Sequence, residues 1–253
     1  MNKISLIVIT FNEQKNIGRC LESAKDVVDE IIVVDSFSTD KTKAICERYG
    51  ASFYQVKWKG YSETKNYANS LAKYDWVLSL DADEALSQEL KQSLLKQKEN
   101  LANDAYIFSR KVNYCGQWIN HCGWYPDKKV RLWKKEKALW QGDIHEELIL
   151  EEGIKPKFIK GDILHYTYYS VSEHVLQANK FTDIAAKEKF EQGKTVSLFK
   201  LFLSPVVRFV TSYFIRLGFL DGFYGFVISV ITANTTFLKY TKLRQLIRTD
   251  KQT

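Results

Sequence analysis

The N-terminal part of the chain alternates between two hydrophobic periods, and this alternation limits the possible folds more than any other feature. Continuous apolar runs rich in β-branched residues predict strands buried on both faces, at residues 4–10, 31–34, 51–56 and 76–80. Apolar residues at helical spacing predict helices at 14–25, 39–49 and 62–73, and a further helix from Asp83 onward. Such alternation indicates βαβ units, so we expect an α/β fold, Rossmann-like, with a mostly parallel sheet flanked by helices.

The remainder of the chain follows a looser pattern and then changes in composition. Residues 105–165 are rich in aromatic residues and predict short mixed strands and loops over the ligand edge of the sheet. Residues 172–190 return to helical spacing. We therefore expect an α/β domain at residues 1–170 and a helical region at residues 171–253.

The helical region carries most of the net charge of the chain. Residues 198–253 contain eight basic residues and two acids, which is +6 of the total of +7. The nearly neutral remainder argues against nucleic-acid binding. Residues 222–238 are free of charge, but this run of 17 residues is short for a membrane span. In the apolar segment that precedes it, residues 198–220, Pro205 is expected to interrupt any helix. We expect interfacial or re-entrant helices on an anionic membrane surface, with a soluble helical appendage as the alternative.

Cysteine usage and the first residues favour a reducing compartment. The four cysteines show neither a disulfide framework nor zinc spacing, and the chain starts with a strand-like segment instead of a signal peptide. A metal site formed by Cys115, His121 and Cys122 is a weaker alternative. The expected location is therefore cytoplasmic.

Polar residues follow three of the predicted strands at their carboxyl ends, where ligands of parallel sheets bind. These segments are Thr10–Glu13, Asp35–Ser36 and Asp81–Asp83. Asp81 and Asp83 point the same way if the backbone is extended, while Glu84 should point elsewhere. A divalent cation bound to a diphosphate needs one or two protein carboxylates, which this pair provides. The alternative is that these acids only complement the N-terminus of the next helix.

Three further residues each have a binding and a structural interpretation. Asp35 could accept hydrogen bonds from a uracil or a ribose, or could cap the turn that follows it. Glu13 could bind a ribose hydroxyl or occupy a first helical turn. Lys65 could meet a diphosphate as a point charge or lie on a solvated helix face.

The order of these motifs resembles the family 2 glycosyltransferases with the GT-A fold, over roughly the first 165 residues. The motifs are Thr10-Phe11-Asn12-Glu13, Val34-Asp35-Ser36 with Thr39-Asp40, Lys65-Asn66 and Asp81-Ala82-Asp83. The resemblance implies a nucleotide diphosphate sugar donor, first of all a UDP-sugar, held through Mn²⁺ or Mg²⁺. It also implies site roles: Thr10 in the donor site, Asp35 at the base, Glu13 and Asp81 at the ribose, Lys65 at the diphosphate and Asp83 at the metal. A departure is Gly60-Tyr61-Ser62-Glu63-Thr64, where the family has a glycine-rich loop.

The same resemblance implies an acceptor-activating acid and a histidine at the metal. Glu146, in the acidic segment after Gly142, is the expected catalytic base, with Asp143 and Glu147 as rivals. His165 is the expected histidine ligand of the metal, and His145 is the weaker alternative. One direct displacement at the anomeric carbon would invert its configuration.

The tail narrows the resemblance to a subgroup. Residues 217–225 and 237–240, together with Tyr125-Pro126-Asp127, are similar to the lipopolysaccharide core β-1,4-glucosyltransferase subgroup. This similarity implies a lipid-linked glycan acceptor, such as lipopolysaccharide core, at the cytoplasmic face of the inner membrane. It does not select the donor sugar.

Two other classes of protein share part of this pattern. A nucleotidyltransferase-like α/β enzyme predicts a glycine-rich basic loop after the first strand, which Thr10-Phe11-Asn12-Glu13 lacks. A non-catalytic membrane adaptor has no use for carboxylates at three successive strand ends.

Overall fold

The computed structural model describes residues 2–142 and 146–250, and the chain divides into two compact units. The first unit comprises residues 1–111 and 127–166, and the second comprises residues 112–126 and 167–253. The domain boundary predicted from the sequence, after residue 170, lies close to residue 167, where the second unit resumes. Residues 112–126 are not separated by that prediction, because no change in composition marks this segment.

The predicted alternation of strands and helices is confirmed in the first unit. Its elements are β1 (Ile4–Thr10), α1 (Ile17–Ala24), β2 (Glu30–Asp35), α2 (Thr42–Arg48), β3 (Ser52–Gln55), α3 (Tyr61–Leu71) and β4 (Trp76–Asp81). Strand β1 pairs in parallel with both β2 and β4, and β2 pairs in parallel with β3. The carboxyl ends of these strands therefore meet at one edge.

The strands that follow make the sheet a mixed one. They continue as β5 (Glu84–Leu86), α4 (Gln88–Glu99), β6 (Ala105–Tyr114), β7 (Gln117–Trp118), β8 (Asp127–Lys134), β9 (Ala138–Gln141), β10 (Glu147–Leu150) and β11 (Lys157–Tyr168). The sheet order is β3-β2-β1-β4-β8-β6-β11-β5, with β7 beside β6. Strand β8 is antiparallel to β4 and β6, and β5 is antiparallel to β11. The expected fold class, a sheet flanked by helices, is confirmed, and the strands β1–β4 form a parallel part of this sheet.

The expected helix from Asp83 onward begins later than predicted. Residues 84–86 form β5 first, and α4 starts at Gln88, where the Ser87 side chain accepts the Leu90 N–H at 3.2 Å. The apolar residues Leu86, Leu90 and Leu94 suggested one continuous helix. Pairing of β5 with β11, far along the chain, overrides this local spacing.

The continuous apolar run of β1 is explained by burial on both faces. Leu6 and Val8 belong to a core that includes Ile17 and Leu21 of α1. Ile7, on the opposite face, belongs to a second core that also contains residues of α3. A strand covered on both sides has no solvent-facing residue, so it does not alternate between apolar and polar positions.

The second unit is mainly helical, as expected. It contains α5 (Val171–Glu191), α6 (Leu198–Val210), a π-helical segment (Thr211–Ile215), a 3₁₀ turn (Gly218–Asp221) and α7 (Gly222–Asp250). Pro205 lies inside α6, so the predicted interruption is wrong: proline removes one backbone donor, and the helix continues past it. Residues 198–215 are long and apolar enough to cross a membrane, with a mean hydropathy of 1.4, and only 11% of this window is buried.

Two glycines let the turn between α6 and α7 close tightly. Leu217 adopts a left-handed backbone conformation with φ of 55°, and Gly218 follows it. A Cβ atom added to Gly225 would lie 1.8 Å from the Gly218 carbonyl oxygen, and one added to Gly218 would lie 2.8 Å from the Cys122 Sγ atom. Gly218 and Gly225 of the tail motif are therefore required by close packing.

Asp221, in the same turn, binds the segment 112–126. Its buried carboxylate accepts the N–H groups of Asn120 at 3.1 Å and His121 at 2.8 Å, and lies 3.0 Å from His121 Nδ1. The Asp221 carbonyl accepts the Gln117 side chain at 2.8 Å. In the alternative metal site, His121 is thus engaged by Asp221, and the Cys122 thiol donates to the Gly225 carbonyl at 3.5 Å.

We predict that Gly225→Ala lowers the free energy of unfolding by about 1–3 kcal/mol, the usual cost of overpacking. Gly18→Ala is the matched control, since Gly18 also lies inside a helix and an added Cβ meets only Ile45 Cγ2, at 3.5 Å. There the better helix propensity of alanine should stabilise by up to about 1 kcal/mol. Chemical denaturation of the full chain measures both. Equal stability of Gly225→Ala and the wild type would contradict the packing argument.

Candidate active site

The strand-end residues predicted from the sequence lie side by side. In the parallel register Thr10 pairs with Asp35, and Ile9 pairs with Asp81. The loops beyond β1 and β2 are joined, because Asn12 N–H donates to Ser38 Oγ at 2.7 Å and the Asn12 side chain accepts the Thr39 N–H at 2.9 Å. The expected ligand edge is thus built as one surface from separate stretches of sequence.

Asp35 is fully buried and its carboxylate is held from two sides. One oxygen accepts the Ser38 N–H at 2.8 Å and the Gln55 side-chain amide at 3.1 Å, and the other accepts the Ser38 hydroxyl. The structure therefore contains the turn-capping interaction, which is one of the two roles predicted for Asp35. Contact of Asp35 with a base stays a prediction.

Thr10 has a buried hydroxyl without a hydrogen-bond partner among the described residues. Buried polar groups in folded proteins are nearly always paired, and an orphaned one requires an explanation. At the carboxyl end of β1, next to Asp35, this hydroxyl is available to a polar ligand. This observation supports the expected place of Thr10 in a binding site.

Glu13 lies before α1 and close to other acids. Its carboxylate accepts the Asn16 side-chain amide at 2.9 Å. Burial raises the pKa of Glu13, and the negative charges of Asp83 and Asp40 raise it further. The alternative that placed Glu13 in a first helical turn is wrong, because α1 begins at Ile17.

Lys65 is the most constrained cation of the site. Its Nζ atom lies 3.0 Å from Asp81 Oδ1, 3.3 Å from Glu146 Oε1 and 4.4 Å from the centre of the Trp140 ring. The Lys65 side chain is only 4% exposed, so the alternative of a solvated helix face is wrong. Three residues of distant segments, one of them the expected catalytic acid, converge on this ammonium group.

Arg131 forms the other half of the network around Asp81. One guanidinium nitrogen lies 2.7 Å from Asp81 Oδ2 and 2.7 Å from Glu84 Oε1. Glu84 is fully buried and is bound also by Arg110 at 3.1 Å. Although burial acts in the opposite direction, Arg131 and Lys65 hold the pKa of Asp81 well below its usual value. Asp81 is therefore ionised and fixed in orientation before any ligand arrives.

No binding or catalytic role is predicted from the sequence for Arg131, Glu84 or Arg110. A usable signal was present, because Arg131 interrupts the apolar stretch from Val130 to Trp133. A charge inside a buried strand requires an ionic partner. The partner itself could not be deduced, since Arg131 and Asp81 are 50 positions apart and meet only through the pairing of β4 with β8.

Asp83 and His165 form a second polar pair. His165 Nε2 lies 3.1 Å from Asp83 Oδ2, and the side chains are 14% and 26% exposed. Strand β11 brings them together, since the Tyr166 N–H donates to the Asp83 carbonyl at 2.9 Å. Burial lowers the pKa of His165, but its hydrogen bond to Asp83 and the charges of Asp83 and Glu84 outweigh this, so the pKa is raised.

The candidate metal donors are therefore one carboxylate and one imidazole. Over residues 2–142 and 146–250, no group of three or more His, Cys, Asp or Glu side chains is arranged to hold a metal. Two protein donors suit an ion that takes its remaining ligands from a diphosphate and water.

The acidic segment beyond Gly142 is described only in part. Glu146 has a side chain 25% exposed and in contact with Lys65, whereas Glu147 is exposed at the start of β10. The rival acid Asp143 and the alternative metal ligand His145 lie outside the described residues. Of the two described acids, Glu146 is thus the one that joins the strand-end network.

Comparison with known proteins identifies the family. The model of the Glycosyl transferase family 2 matches residues 5–147. A protein of Rickettsia typhi, named as an uncharacterized glycosyltransferase, is 35% identical over 97% of this chain and 88% of its own length. The lipopolysaccharide core biosynthesis glycosyltransferase LpsC of Rhizobium meliloti is 28% identical over 96% of this chain and 92% of LpsC. The chain therefore belongs to glycosyl transferase family 2, which confirms the predicted resemblance, the GT-A fold class and the glycosyltransferase class.

A solved structure with partial similarity is that of glucosyl-3-phosphoglycerate synthase from Mycobacterium tuberculosis with Mn²⁺, uridine diphosphate and glucosyl-3-phosphoglycerate. It is 19% identical, with a TM-score of 0.41, over 53% of this chain and 57% of the synthase.

We predict that Arg131→Met lowers the free energy of unfolding by about 3 kcal/mol, since removing one partner of a buried ion pair leaves charge uncompensated. Arg110 and Lys65 remain beside Glu84 and Asp81, which keeps the loss at the lower end of the usual range. Lys160→Met is the control, because Lys160 pairs with Glu89 at the surface, at 2.7 Å, and should matter little. Urea denaturation at neutral pH compares them, and an equal effect of the two substitutions would refute the proposed importance of the buried network.

Proposed function

We propose that this chain is an inverting, metal-dependent hexosyltransferase. It takes a hexose from a nucleotide diphosphate sugar, first of all a UDP-sugar, and transfers it to a lipid-linked glycan such as lipopolysaccharide core. The transfer takes place at the cytoplasmic face of the inner membrane. The donor site is formed by Thr10, Glu13, Asp35, Lys65 and Asp81, the metal ligands are Asp83 and His165, and the catalytic base is Glu146.

The observation that carries the proposal is the convergence of Lys65, Asp81 and Glu146 beyond the carboxyl ends of the strands. The buried ammonium group of Lys65 lies 3.0 Å from Asp81 and 3.3 Å from Glu146, so an anionic ligand that binds it would lie beside a candidate base. The orphaned hydroxyl of Thr10 at the same edge supports a polar ligand there. Membership of the glycosyltransferase family selects the ligand class, a nucleotide sugar, among anions that could bind.

The residues present fit a divalent cation of the Mn²⁺ or Mg²⁺ type. Asp83 and His165 offer an oxygen and a nitrogen 3.1 Å apart, on a partly exposed surface. Each would turn from its partner towards the ion, which suits a site completed by the ligand's own phosphate oxygens. When bound, the ion would neutralise the charge that develops on the departing diphosphate.

Lys65 and Arg131 have different roles in donor binding and in catalysis. Lys65 compensates Asp81 and Glu146 in the free protein, and an incoming diphosphate competes for its ammonium group. Arg131 keeps Asp81 in place during this exchange. Glu146 is then released from its ion pair and takes the proton of the acceptor hydroxyl as that oxygen attacks the anomeric carbon. The bond from this carbon to the diphosphate breaks on the opposite face, and the nucleoside diphosphate leaves with the bonding electrons.

The acceptor class is inferred from the tail and from the relative LpsC. Apolar side chains of α6 and of the start of α7 are exposed, among them Phe199 at 75% and Phe223 at 72%. Many large exposed apolar side chains in one region favour contact with a membrane or a protein. Their combination with a basic segment favours an anionic membrane, and the name of LpsC favours a lipopolysaccharide core acceptor.

We predict that Asp83→Ala abolishes the gain in UDP-sugar affinity produced by Mn²⁺ while the fold is retained, because the carboxylate ligand is lost. Asp104→Ala is the control, since Asp104 pairs only with Lys134 in the described structure, at 2.7 Å, and lies outside the strand-end network. Titration calorimetry with a panel of nucleotide sugars, with and without Mn²⁺, measures the effect and identifies the base and sugar. Wild-type affinity with Mn²⁺ in Asp83→Ala would exclude this ligand.

We predict that Glu146→Gln slows sugar transfer at least about a hundredfold, the usual scale for loss of a general base, with donor binding retained. The amide preserves shape and removes basicity. Single-turnover transfer to a lipid-linked acceptor measures the rate. Near-normal transfer by Glu146→Gln, with Asp143→Asn or Glu147→Gln inactive, would move the base to another acid of the same segment.

A further inference from the structure

Helices α6 and α7 enclose a groove with an unusual lining. Its volume is about 770 Å³, and its wall contains the cations Lys200, Arg208 and Lys239 and no acid. Phe199, Leu203 and Val207 form its apolar part. The groove lies within the second unit and is separate from the strand-end site.

The three cations are held close together without compensation. The Nζ atoms of Lys200 and Lys239 lie 5.8 and 4.9 Å from the centre of the same Tyr240 ring. Burial lowers the pKa of Lys239, and the neighbouring charges, including those of Arg208 and Lys200, lower it further. None of the ion pairs in the described part of the chain involves these cations, and Asp183 of α5 pairs instead with Lys242, at 2.6 Å. An anion in the groove would relieve this repulsion.

Hydroxyl groups complete the polar part of the wall. Thr211, Thr232 and Thr235 line the groove between the cations. The Thr235 hydroxyl donates to the Ile231 carbonyl at 2.8 Å, so its proton is not available to an anion, and the cations are the groups that would bind one. A ligand that combines a dense negative charge with apolar chains matches both parts of the wall.

We propose that the groove between α6 and α7 binds the phosphate headgroup of an anionic membrane lipid. The guanidinium group of Arg208 and the ammonium groups of Lys200 and Lys239 contact the phosphate, and the acyl chains follow the apolar side of α6. The inference rests on the membrane association in the proposed function and adds a defined lipid site to it. Such a site would fix the depth and orientation of the protein on the membrane.

The test compares two triple variants of the full chain in flotation with phosphatidylglycerol-containing and pure phosphatidylcholine vesicles. The groove variant carries Lys200→Gln, Arg208→Gln and Lys239→Gln. The matched control carries Lys180→Gln, Lys194→Gln and Arg248→Gln, which remove the same charge from exposed positions. A cation near an anionic surface is worth about fivefold in binding, so the groove variant should lose about a hundredfold on phosphatidylglycerol. The control should lose tenfold or less, and Lys239→Arg alone should bind normally.

A second measurement separates a lipid from free phosphate. Monomeric dihexanoyl phosphatidic acid should bind the wild type at one saturable site and should not bind the groove variant. Inorganic phosphate at equal concentration should not displace it, and equal competition by inorganic phosphate would overturn the lipid assignment.

The remaining outcomes distinguish this inference from the proposed function. Equal losses in the two triple variants would mean diffuse attraction, and would overturn the groove while leaving membrane association intact. Failure of the wild type to bind any vesicle would overturn both the groove and the membrane association. Donor hydrolysis with Mn²⁺ reports on the catalytic unit independently of either result.

Discussion

The candidate site depends on the pairing of buried Arg131 with Asp81 and Glu84. Two carboxylates and a guanidinium group at 2.7 Å from each could not be buried separately without a large desolvation cost. Together with Lys65 they form a compensated network, which holds Asp81 ionised at the carboxyl end of β4. Asp81, the acid that is expected to contact the donor, is thus oriented by the fold itself. Its orientation before binding is the expected functional benefit of these buried charges.

The mixed character of the sheet has a direct consequence for this site. The parallel strands bring Thr10, Asp35 and Asp81 to one edge, but the cation Arg131 comes from the antiparallel strand β8. His165 comes from β11, which pairs antiparallel with β5. The parallel part of the sheet therefore provides the acids, and the antiparallel part provides groups that neutralise or complete them.

The second unit uses its residues in a different way. Its tail motif, which the sequence linked to membrane enzymes, contains glycines and an aspartate that build a tight turn and hold residues 112–126. The residues that face outward on the same helices are large, apolar and exposed. Gly218, Gly225 and Asp221 of the motif thus serve packing, whereas Leu220 and Phe223 of the same motif belong to the exposed apolar residues.

The sequence by itself determined the strand–helix alternation, the edge at which the acids gather and the family, because hydrophobic period and short motifs are local properties. It also marked Lys65 and Glu146, yet it could not decide between a solvated and a buried lysine. Tertiary structure alone decided that Lys65 is caged by Asp81, Glu146 and Trp140, that Arg131 and Glu84 support the site, and that residues 112–126 belong with the tail. Apart from Lys65–Asp81, these contacts join positions 47 to 100 apart along the chain, as in the Arg131–Glu84 and His121–Asp221 pairs. Their partners are selected by desolvation and strand pairing, which act only once the chain has folded.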